Sequence, residues 1–105
     1  MSMESMPQSQ SKAEKLEAIK ADDRFAQLLK GAEVCTSKQE EYKDLMAEGS
    51  SATAQERMEA FENLTRIKGI FYTLGATIAR DHGFVGGFEP EDILNFDQTI
   101  EEAKA

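Results

Sequence analysis

Apolar residues recur at steps of three and four along two long stretches of the chain. The first set is Phe25, Leu28, Leu29, Ala32, Cys35, Tyr42, Leu45 and Met46; the second is Met58, Phe61, Leu64, Ile67, Phe71, Leu74 and Ile78. Such spacing puts each set on one face of an α-helix. Ser11 and Glu14, and again Thr53 and Glu56, have the capping-box spacing that opens a helix. A weaker face, Leu16 and Ile19, follows Ser11, so the pattern predicts a first helix from Ser11 to a glycine stop at Gly49. Val34-Cys35-Thr36-Ser37 are mediocre helix formers, and Ser37–Glu40 repeats the capping spacing, so any break in that helix is expected near Gly31–Ser37. The second helix runs from Thr53 to His82-Gly83, about 43 Å at 1.5 Å per residue.

Two long helices joined by a short Gly/Ser turn run antiparallel. Equal distances from the turn set Tyr42 beside Phe61, Ala32 beside Phe71 and Phe25 beside Ile78. Beyond a glycine-rich connector, Gly83 to Phe88, Pro90 suits a first helical turn. Ile93, Phe96, Ile100 and Ala103 mark a short amphipathic helix over about Pro90–Ala103. The expected fold is all-α: a disordered tail over residues 1–11, a long antiparallel helical hairpin over 12–82, and a connector with an acidic C-terminal helix over 83–105. Such a chain is either a three-helix unit or a hairpin that dimerises into a bundle.

Charge narrows the partners. The net charge is −8, and residues 83–105 hold six acids against Lys104 alone. Phosphate affinity needs clustered Lys and Arg, so direct nucleic-acid binding is not expected. Gly69–Ala79 carries no charge but is about half the length that spans a bilayer, and no membrane association is expected. The N-terminal residues lack the basic and apolar regions of a signal peptide. The single cysteine, Cys35, gives no intramolecular disulfide. The expected location is the cytoplasm, with a virion as the alternative.

Candidate chemistry is sparse. His82 is the only histidine, and Ile78 and Ala79 stand where a helical metal site needs a carboxylate; a role at the helix end, against the last carbonyls, is expected instead. Cys35 lies on the core stripe and reads as a small buried hydrophobe. Gly83-x-x-Gly86-Gly87 lacks the Lys-Ser/Thr of a phosphate loop. Glu89, Glu91, Asp92 and Asp97 do not match a calcium loop. No catalytic residue, cofactor site or metal site is assigned, and the chain is not expected to be an enzyme.

Interaction surfaces are more legible. The helix face opposite the core carries Gly69, Tyr72, Ala76 and Ala79, small residues that would admit another helix, from this chain or from a second copy. Phe84, Val85 and Phe88 on the connector, and Ile93, Phe96 and Ile100 on the last helix, are further contact candidates. The leading expectation is a non-enzymatic interaction, assembly or structural subunit, a homo-oligomer or a binder of another protein. The alternative is a small acidic inhibitor that mimics nucleic acid and blocks a basic site on another protein.

Overall fold

A computed structural model describes residues 11–104, and these form five helices without a strand among the described residues. They are α1 (Lys12–Lys20), α2 (Phe25–Met46), α3 (Ala54–Asp81), α4 (Pro90–Leu94) and α5 (Phe96–Lys104). The tail expected over residues 1–11 falls outside the described residues except for Ser11. That residue caps α1: its hydroxyl accepts from the Glu14 N–H, and the Glu14 carboxylate accepts from the Ser11 N–H at 2.8 Å.

The first predicted helix does break, but at Ala21–Arg24; α2 passes through Gly31–Ser37 uninterrupted. The break is made by Asp22, whose carboxylate accepts from the Arg24 backbone N–H at 2.8 Å. Asp side chains compete in this way for backbone groups that a helix would otherwise use. Ser37 and Glu40, despite their spacing, cap nothing.

α3 matches the pattern closely. Thr53 and Glu56 form their capping box. At the other end Phe84 N–H donates to Ala79 O at 2.8 Å and Gly83 N–H to Arg80 O at 3.0 Å, the paired bonds of a Schellman stop. Gly83 takes the left-handed conformation this needs, with φ of +86°.

α2 and α3 run antiparallel. Tyr42 and Phe61 rings lie 5.9 Å apart near the turn, Gly31 abuts Phe71 midway, and Arg24 reaches Asp81 at the far end. At the turn, Arg57 Nε donates to Leu45 O at 3.0 Å and satisfies a terminal carbonyl of α2. Phe25, expected beside Ile78, packs against the core cluster that contains Ile78, with its ring tilted against Phe96 at 4.9 Å between centroids.

The expected C-terminal helix is two helices, α4 and α5, because Asn95 leaves the helical conformation with ψ of +41°. Thr99 Oγ1 donates to Asp92 O at 3.1 Å and steadies the corner. α4 packs on α2, and α5 packs on α1. One core results, built from Leu16 and Ile19, Leu28 and Ala32, Phe71 and Ile78, and Ile93, Phe96 and Ile100. It occupies only the end of the hairpin that carries α1, α4 and α5. Towards the turn α2 and α3 form a two-helix layer.

Candidate protein-interaction surface

The uncharged stretch of α3 has three separate surroundings. One side, with Phe71 and Ile78, enters the core. A second side meets the connector. A Cβ on Gly87 would stand 3.3 Å from the Ala76 nitrogen, so the connector backbone lies directly against α3. Tyr72 is half-buried and donates its hydroxyl to Glu89 at 2.9 Å. Burial pushes the Tyr72 hydroxyl up from its ordinary pKa, and the Glu89 carboxylate adds to this. Ala79 is buried. Of the face nominated for self-association, Ala79 is in the core and Tyr72 and the Ala76 backbone lie against this chain's own connector, while Ala76 remains exposed and Gly69 has nothing within 4 Å of its would-be Cβ.

The third side is open. Ile70 is 60% exposed, and around it lies a groove with adjoining openings of about 260 and 620 Å³. α2 contributes Gln27, Lys30, Gly31 and Val34, and α3 contributes Arg66, Gly69, Leu74 and Thr77. Nothing from α1, α4, α5 or the connector lines it.

Other large apolar side chains are exposed near the turn: Met46 at 52%, Met58 at 63% and Phe61 at 53%. The sequence pattern puts Met58 and Phe61 on the core stripe. The structure exposes them because no third element reaches this part of the two-helix layer, where Leu64 is the buried side chain of α3 nearest the turn.

The connector and last helices are mostly occupied within the chain. Phe84, Phe88 and Phe96 form a run of rings, 6.3 and 6.0 Å between successive centroids. The Lys15 ammonium lies 5.7 Å from the Phe84 centroid. Phe84 and Phe88 are half-buried, Ile93, Phe96 and Ile100 are buried, and Val85 alone of the connector's apolar residues is fully exposed.

The acidic run is also engaged. Asp92 accepts from the Glu89 N–H, Asp97 pairs with Lys20, Glu101 with Lys104, and Glu102 accepts from the Gln98 amide. Glu91 has no side-chain partner among the described residues.

His82 caps α3, and its backbone N–H donates to the Ile78 and Ala79 carbonyls, but its ring turns to a carboxylate instead. Its Nε2–H donates to Asp22 Oδ2 at 2.8 Å; a carboxylate can only accept, so that nitrogen carries the proton. The guanidinium of Arg24 bridges Asp22 and Asp81 at 2.8 and 2.9 Å. Four side chains from two segments, 22–24 and 81–82, thus form a clamp. Sequence reading missed it, because no local spacing links Asp22 to a residue sixty positions away. Cys35 is buried, with its Sγ 3.9 Å from Ile67 O, and burial pushes its thiol above the usual pKa. Such a thiol is a poor nucleophile.

Among the described residues no group of three His, Cys, Asp or Glu could hold a metal ion, and no helix is long and apolar enough to cross a membrane. Comparison with protein-family models, characterised proteins and solved structures finds no match to this chain.

Proposed function

We propose that this protein is a non-enzymatic assembly or structural subunit that acts by protein–protein contact. In this reading it associates with a second copy of itself through the turn end of the α2–α3 hairpin. The observation that carries the proposal is the exposure of Met46, Met58 and Phe61 on a layer only two helices thick. Two helices side by side cannot enclose a core, whereas two such layers stacked make a four-helix bundle. Methionine suits the contact because its unbranched thioether adapts to an irregular partner surface.

Replacing Phe61 with Glu tests the reading. The side chain is more than half exposed, so the monomer fold tolerates the change. The variant is expected to sediment as a monomer with unchanged helicity where the wild type sediments as a larger species. Equal masses for the two would overturn the proposal.

A further inference from the structure

We infer that the groove between α2 and α3, centred on Ile70, docks an amphipathic helix of another protein whose flanks carry carboxylates. The inference rests on the protein-interaction reading but concerns a different face from the turn end. Phe71 forms the floor, and Val34, Ile67 and Leu74 form the walls. Gly31 and Gly69 keep the rims low: a Cβ at Gly31 would crowd the Phe71 ring at 3.3 Å, and at Gly69 the space is open. From Arg66 to Thr77 the α3 rim is about 16 Å long, three turns of a helix. An apolar strip of that length between low rims suits the helix-in-groove mode of recognition.

Charge selects the occupant. Lys30 and Arg66 are the charged side chains lining the groove, and no carboxylate lines it, in a chain of net charge −8. Neither makes an ion pair among the described residues, although Arg66 donates to the Asn63 side-chain oxygen at 2.6 Å. A second copy laid on the same groove about a two-fold axis would bring four cations together with no lining carboxylate to offset them. An acidic helix would instead set its carboxylates beside Lys30 and Arg66 while its apolar seam covers Ile70. The acids of α4 and α5 do not line the groove.

A displayed library of helical peptides, panned against the full chain, tests this. Its seam positions vary among Leu, Ile, Met and Phe, and its flanking positions vary between Glu and Lys. Glu should be enriched at the flanks. Peptides from enriched clones should bind the Ile70→Glu variant about tenfold or more weakly, since that change buries an unpaired charge. They should bind Phe61→Glu as they bind wild type. A Lys30→Glu/Arg66→Glu double variant should enrich Lys instead. Failure to enrich any helix, enrichment without a charge preference, or binding indifferent to Ile70→Glu would overturn the inference. So would slowing of amide exchange over residues 66–77 with rising protein concentration, in wild type but not Ile70→Glu, because the occupant would then be a second copy. The self-association reading is decided separately, by the mass of Phe61→Glu.

Discussion

His82 Nε2 and Asp22 Oδ2 meet at 2.8 Å and join the end of α3 to the turn between α1 and α2. Asp22 also accepts from the Arg24 side chain and backbone, and these bonds, Arg24 before His82, hold its carboxyl well below the usual carboxylate range. A carboxyl with a depressed folded pKa adds stability above its unfolded value, near 3.9. That stability is lost as the pH falls through the folded value. Asp22→Asn should therefore lower the melting temperature at neutral pH, and below about pH 4 it should show a flatter acid dependence than wild type. Amide exchange should accelerate first in α1, the element the clamp holds to α3.

Phe71 and Phe61 lie on the same predicted stripe of α3 but should respond differently to truncation. Phe71 is 2% exposed and Phe61 53%. Phe71→Ala should cost about 3–5 kcal/mol of stability, the range for emptying a buried aromatic site. Phe61→Ala should cost less than about 1 kcal/mol in the monomer. Urea unfolding of dilute protein measures both.

Gly69 sits inside α3 with no packing need for its missing Cβ. Gly69→Ala should stabilise the chain by about 0.5–1 kcal/mol, the helix-propensity difference between the two residues. The added methyl raises one rim of the Ile70 groove, so the same variant should bind the enriched acidic peptides more weakly. Thermal unfolding and peptide titration check the two halves.

Removing residues 89–105 takes Ile93, Phe96 and Ile100 out of the core and uncovers Leu28 and Phe25. The truncated chain should lose α1 and its cooperative unfolding transition, with a fall in helicity larger than the deleted residues account for. A truncated chain that melts as wild type does would mean that α4 and α5 contribute little to the fold.

The ends of α3 were legible because their signals are local, whereas α2 stops at Met46, ahead of the expected Gly49. Thr53 and Glu56 close a capping box on each other, and His82-Gly83 supplies a C-terminal stop within two residues. The break was expected at Gly31–Ser37 because the residues there are poor helix formers, whereas the Asp22 contact with the Arg24 backbone N–H that makes it is local and the bonds to Asp81 and His82 that hold it are not. Periodicity also tells which face of a helix is apolar, but not how far along its length a neighbour covers that face. Met58 and Phe61 keep the same period as Phe71 and still stand in solvent. Ile70 carries the opposite lesson: it falls off the stripe, and a large β-branched residue there, next to Gly69, was the one local sign of the groove.

Sedimentation equilibrium of the full chain, from low micromolar to millimolar concentration, tests the central claim most directly. The account predicts a mass that rises with concentration from the 11.7 kDa of one chain to twice that value. It predicts little dependence on salt, since the contact at Met46, Met58 and Phe61 is apolar. A mass that stays at one chain throughout that range would contradict it.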